Sequence, residues 1–243
     1  KLFASYFASN SQKNAKGEMV SGDILYKGLL DERGHSVNDL VMFLKENEPG
    51  NLSDIQAFFL VSERTQKYEA FVKGARDIGI TAPIYGPDNL LEIATVHSDL
   101  PSSDLNDIVA LTIYDPNNNT SEAKRFRARY RESMSLEAGA FAAIGYDAVS
   151  LLNYVVSLEN STDPVELGSA LKVMRFKKPF IGVTGPIVFD STGLITDTKV
   201  FIIKHDDGRK QTEKSYELSD IQHVAKNLVG PDATEPKKLE SSR

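Results

Sequence analysis

Two short apolar runs, IQAFFLV over 55–61 and DIVALTIY over 107–114, restrict this chain more than any other feature. Each is too short for a helix and is bounded by polar residues, so each reads as a strand buried on both faces. Helical periodicity fills the sequence before the first run and between the two. A helix is predicted over 37–47, with Leu40, Val41, Phe43 and Leu44 inward and Ser36 as its cap. A second is predicted over 65–78, stopped by Gly79. A short strand over 82–85, a loop over 86–89 and a short helix over 90–96 follow. Strand and helix alternating in this way mean parallel strands joined by crossover helices, an α/β fold with a parallel sheet flanked by helices.

The flanking sequence is read in the same manner. An amphipathic helix is predicted over 2–13 and a strand over 19–30. Beyond the turn cluster Asp115-Pro116-Asn117-Asn118-Asn119 a charged helix is expected over 120–134. The stretch 138–158 is apolar nearly all round and is predicted to be the most buried helix. Asp147 and Asn153 within it argue against a membrane span. Asp163-Pro164-x-Glu166 has the residues of a helix start, and strands are expected over 185–190 and 198–205. The tail after Val229 is polar and expected to be loose.

Composition removes several classes of function. The formal charge is −6 with no basic stripe, which is unfavourable for nucleic acid. The absence of cysteine excludes thiolate metal sites and a cysteine nucleophile. The four histidines stand far apart, none with a second ligand at metal-site spacing. There is no P-loop, no GxGxxG and no GxSxG, and no assembled acid, base and nucleophile. The expectation is a chain that is not an enzyme and carries no cofactor or metal. The opening residues have no secretory leader; a mature exported protein would look the same.

Three segments carry a resemblance. The first is Val72-Lys73-Gly74-Ala75-Arg76-Asp77-Ile78-Gly79-Ile80, followed by Ala82-Pro83-Ile84-Tyr85-Gly86-Pro87-Asp88. The second is Gly139-Ala140-Phe141-Ala142-Ala143-Ile144-Gly145-Tyr146-Asp147-Ala148-Val149. The third is Gly182-Val183-Thr184-Gly185-Pro186-Ile187-Val188-Phe189-Asp190-Ser191-Thr192-Gly193. In this order and spacing they resemble the type I periplasmic binding proteins, the family of leucine/isoleucine/valine-binding and related extracellular receptors.

The resemblance implies two lobes that close on a small polar solute, such as an amino acid or amide. It implies a second ligand-binding lobe from 1–114 with 186–215, a helical part of the first lobe over 115–185, and a C-terminal extension over 216–243. The opening strands of the first lobe have no counterpart here, so the helix over 138–158 is expected to be covered by that absent segment or by another copy of the chain. Asp88 aligns with the carboxylate that receives a ligand ammonium. Ser62, Glu63 and Arg64 occupy the loop after the 55–61 strand, the other second-lobe contact, and Phe141 aligns with an aromatic near the ligand. Each has a plainer alternative: a turn aspartate, solvated helix-start charges, a core phenylalanine. The partners implied are a small-molecule ligand and a membrane permease, in a periplasmic or extracellular setting; the alternative is the ectodomain of a membrane-anchored sensor.

Overall fold

The structure, a computed structural model, describes residues 12–13, 19–20, 25–46, 52–94, 99–176 and 179–221. Residues 1–27 and 219–243 group as one unit and 28–218 as another. In the first unit, β1 (Gln12–Lys13) pairs antiparallel with β2 (Met19–Val20). The expected helix over 2–13 therefore does not reach its predicted end, and its earlier residues lie outside those described. The strand expected over 19–30 ends early, and 25–30 have no regular structure.

The second unit is built on a five-stranded sheet. Its members are β3 (Phe58–Phe59), β4 (Ile84–Pro87), β5 (Ile108–Thr112), β8 (Lys199–Asp206) and β9 (Arg209–Glu217), in the order β3-β4-β5-β8-β9. The first three run parallel, and β8 and β9 add antiparallel. Helices α1 (His35–Glu46) and α2 (Thr65–Asp77) and a 3-10 segment, Asp88–Ala94, make the helical layer. The core contains Ile84, Ile108, Ala110 and Ile203 of the sheet with Phe71, Val72, Ala75, Leu90 and Ile93 of the helices. Phe58 meets Phe71 edge-on at 5.2 Å between ring centroids.

The 55–61 run is not buried on both faces. Leu60 is buried, whereas Phe59 is 46% and Val61 66% exposed, and Tyr85 and Leu111 are open as well. Apolar composition identified the strand, but the described helices of this unit cover only one side of it. The start of α1 also differs from expectation. Asp31 Oδ1 accepts the backbone N–H groups of Arg33 (2.7 Å) and His35 (3.1 Å). Ser36 lies inside the first turn, where its buried hydroxyl has no partner. The stop of α2 is as expected: Gly79, at φ +84°, takes the left-handed position that favours glycine.

Arg76, in the last turn of α2, accounts for one of the resemblance motifs. Its guanidinium donates to the carbonyls of Ile80 (2.7 Å), Ala82 (3.2 Å), Asp104 (3.1 Å) and Asn106 (2.9 Å). These loops enter β4 and β5, so one planar fork aligns two parallel strands. Burial lowers its pKa, against the opposing charges of Asp104 and Asp107.

The segment between β5 and β8 forms α3 (Ser121–Met134), α4 (Ala140–Glu159), α5 (Pro164–Val173) and the hairpin β6 (Phe180–Gly182)–β7 (Gly185–Ile187). Asp163 caps α5, accepting from Val165 and Glu166 N–H, with Pro164 in its first turn. Helix α4 buries one stripe only: Ala140, Ala143, Asp147, Leu151 and Val155. Val149 is 70% exposed, and Phe141, Leu152 and Leu158 are exposed too, which corrects the expectation of the most buried helix. Helix α4 is long and apolar enough to cross a membrane, yet Asp147 at its middle is 2% exposed and tied to protein. Its Oδ1 accepts Val183 N–H at 2.7 Å, and its Oδ2 accepts Thr184 N–H at 2.8 Å and Thr184 Oγ1–H at 2.6 Å. A Cβ on Gly182 would overlap that carboxylate.

His205 on β8 is buried, and its Nδ1 has no partner. Burial lowers its pKa; the Lys210 charge adds to this and Asp206 opposes it. The folded chain therefore takes up this proton at lower pH than the unfolded chain, whose histidine titrates near 6.5. The stability it confers is complete above that value and is lost as pH falls below it. From about pH 7.5 to about 5.5 the wild type is expected to lose more stability in urea unfolding than His205→Gln. Equal losses would show that the buried imidazole does not act this way.

Candidate functional site

The loops at the carboxyl ends of β3, β4 and β5 converge, the position where parallel sheets place ligands. Tyr68, fully buried on α2, organises the first of them. Its hydroxyl accepts Ser62 N–H at 2.6 Å and donates to the Ser62 carbonyl at 2.7 Å. Asn89 Nδ2 donates to the same carbonyl at 2.6 Å. Burial raises the Tyr68 pKa; these hydrogen bonds oppose the shift and the Asp88 charge adds to it. Asp88 in turn accepts Asn89 N–H on Oδ1 at 2.8 Å. Ser62 and the Asp88–Asn89 pair, separate in sequence, are thus one hydrogen-bonded unit.

The other predicted residues are placed differently. Ser62 Oγ accepts Arg64 N–H at 3.1 Å, a local turn bond. Glu63 and Arg64 are exposed where α2 begins, and the Arg64 guanidinium pairs with Glu32. That exposed pair contributes little to stability. It also means that an anionic ligand at Arg64 would compete with a carboxylate already there. Phe141 is 59% exposed, in the first turn of α4. The structure brings Ser62 and Asp88 together and leaves Arg64 and Phe141 on the surface.

Sequence reasoning did not identify Glu92. Its Oε1 accepts the Ala140 N–H at 3.2 Å, placing a carboxylate from the 3-10 segment on the N-terminus of α4. Negative charge at a helix start is favourable, and a Cβ on Gly139 would overlap the carboxylate. Lys210, on the edge strand β9, was also missed. It shares a small cavity with Asp88, Glu92, Thr112 and Tyr114. The spacing of Asp88 and Glu92, four residues apart, was the one available sign that both carboxylates lie together. Nothing in the sequence near Lys210 ties it to them. Among the described residues there is no cluster of three metal-ligating side chains.

No protein-family model matches the chain, and no curated protein matches it. Solved structures do. A leucine-binding protein, LivK, of Thermotoga maritima is 22% identical over 72% of this chain and 49% of its own, with a TM-score of 0.53. The branched-chain amino-acid transporter substrate-binding protein LivJ of Streptococcus pneumoniae, in complex with isoleucine, is 22% identical over 70% of this chain and 47% of its own, at 0.53. A solute-binding protein of an ABC transporter from Rhodopseudomonas palustris, in complex with 3,4-dihydroxybenzoic acid, is 18% identical over 74% and 49%, at 0.56. The fold of this chain is that of the type I periplasmic binding proteins, and the chain spans about half the length of these neighbours.

Proposed function

We propose that the chain is part of a non-catalytic solute receptor, the substrate-binding component of an ABC-type importer working outside the cytoplasmic membrane. Residues 1–114 with 186–215 form one gripping lobe, 115–185 belong with a second, and the lobes close on the solute as hinged bodies. The observation that carries this reading is the Ser62–Tyr68–Asn89–Asp88 unit at the carboxyl ends of parallel strands, where a carboxylate is held beside an organised loop. Solved neighbours of the same fold bind isoleucine and 3,4-dihydroxybenzoic acid. The ligand is accordingly a small polar solute, an amino acid or related acid or amide, passed on to a membrane permease. Asp88 takes its amine, since a partly desolvated carboxylate pairs well with an ammonium. Ser62 stands beside Asp88 through Asn89, and Glu63, Arg64 and Phe141, all on the surface, are proposed as further solute contacts.

Isothermal calorimetry of the chain with leucine, isoleucine, leucinamide and benzoate tests this reading. Binding of at least one solute is expected. Asp88→Ala is expected to weaken an amine-bearing solute by roughly 1.5–3 kcal/mol, the range for a hydrogen bond to a charged group. Silence across the whole panel would overturn the receptor reading, and unchanged affinity in Asp88→Ala would remove that residue from the site.

A further inference from the structure

Helix α4 begins without a cap of its own. Gly139, which precedes it, has no side chain to accept a hydrogen bond, and no acidic residue stands in the first turn. The N–H groups at a helix start need an acceptor. Glu92 supplies one from 48 residues away: its Oε1 accepts the Ala140 N–H at 3.2 Å. The approach requires glycine at 139, because an added Cβ would overlap both oxygens of this carboxylate.

Both ends of the bond are anchored. Leu91 and Ile93, on either side of Glu92, are buried. Ala138, Ala140 and Ala143 belong to a buried cluster with Tyr114 and Phe126. Lys210 of β9 lines the same small cavity as Asp88, Glu92, Gly139 and Ala140. Burial lowers the Lys210 pKa, and the Glu92 charge opposes that shift. The Glu92 carboxylate thus answers both a cation and the positive end of the α4 dipole.

We propose that Glu92 is a latch between the two lobes, a positioning residue that fixes the start of α4 against the Asp88–Ala94 segment. The inference rests on the proposed receptor function, in which Glu92 and Lys210 belong to one lobe and α4 to the other. Asp88 opens the 3-10 segment and Phe141 directly follows Ala140, so one bond sets two proposed solute contacts relative to each other. It favours the arrangement in which the lobes are together before a solute arrives. A solute then finds a larger fraction of chains ready to bind, and its apparent affinity rises with that fraction. Removing the latch shifts the chain toward open forms without removing any group that touches the solute.

The test is electron-spin distance measurement on the full chain, with labels at Lys73→Cys on α2 and Lys172→Cys on α5. Both positions are exposed, and the chain has no cysteine of its own. Dilution with unlabelled chain restricts the signal to distances within one molecule. Without solute, Glu92→Ala is expected to lengthen and broaden the distance. Gly139→Ala, which displaces the carboxylate at an ordinary φ of −95°, should do the same. The two together should do no more than either alone. Glu92→Gln keeps an accepting oxygen and should stay nearer the wild type. Saturating isoleucine should restore the wild-type distance in each variant, with its affinity for Glu92→Ala lowered about fivefold, the equivalent of one lost helix cap. Unchanged distances in both Glu92→Ala and Gly139→Ala would overturn the latch, whatever the chain binds. Isoleucine that binds without restoring the distance would overturn it too, because the bond would then be structural alone. Lengthened distances in a chain that binds none of isoleucine, leucinamide and benzoate would overturn the receptor reading, and the latch between lobes with it.

Discussion

Replacing Asp147 with alanine is expected to destabilise the chain by about 3–5 kcal/mol, the range for removing one partner from a buried charged network. The carboxylate accepts three hydrogen bonds from two consecutive residues, Val183 and Thr184, each at 2.8 Å or less. Val183 is itself buried, so its N–H would be left without water or protein to receive it. Asp147→Asn is nearly the same size but turns an N–H₂ group toward one of the two backbone donors, so it should recover only part of the loss. Urea unfolding monitored by far-UV circular dichroism reads the effect. A loss below about 1 kcal/mol for Asp147→Ala would mean that water replaces the carboxylate and that the α4–hairpin junction is not sealed.

That junction explains why the fold was legible in the sequence. Each resemblance segment contains a hydrogen-bonding centre. Arg76 gathers the loops that enter β4 and β5, and Asp147 ties the Tyr146-Asp147-Ala148 turn of α4 to Val183 and Thr184. Asp190 closes its own turn, accepting Thr192 N–H at 2.7 Å and Leu194 N–H at 3.0 Å. Such centres tolerate few residue types, so they survive as readable motifs when the surrounding sequence does not. The burial of whole elements was less legible. Composition marks Phe59, Val61 and Val149 as apolar, but whether another layer covers them depends on segments elsewhere in the chain. The site was legible in part for the same reason. Asp88 and Ser62 follow strands in the usual parallel order, whereas Lys210 reaches Glu92 only because β9 pairs with β8 and β8 with β5. Sequence patterning near Lys210 shows only a charge after a hairpin turn.

The chain alone is expected to bind an apolar-sensing dye or to self-associate, through the open side of α4. At 100° per residue, Phe141, Ala148, Leu152, Val156 and Val149 form one stripe on the side opposite Ala143 and Asp147. The only charged residue between Phe141 and Val156 is Asp147, which is buried on the other side. Covering Phe141, Val149 and Leu152 would contribute about 5–9 kcal/mol at 1.5–3 kcal/mol per large apolar side chain. That is comparable to the whole stability of a typical domain, about 5–15 kcal/mol. Monomers rarely leave such a patch open. In the proposed receptor we therefore expect a further protein surface on this helix, supplied by another polypeptide segment or a second copy. The double variant Val149→Lys, Leu152→Glu separates burial from folding. Both side chains are exposed, so the stability of the isolated chain should change by no more than about 0.5 kcal/mol. Dye binding and the larger species in light scattering should fall together, and assembly with any covering surface should be lost. A wild-type chain that is monomeric at high concentration and binds no dye would show that the stripe is not an interface, and the proposed placement of α4 within a second lobe that needs further segments to cover it would fall with it.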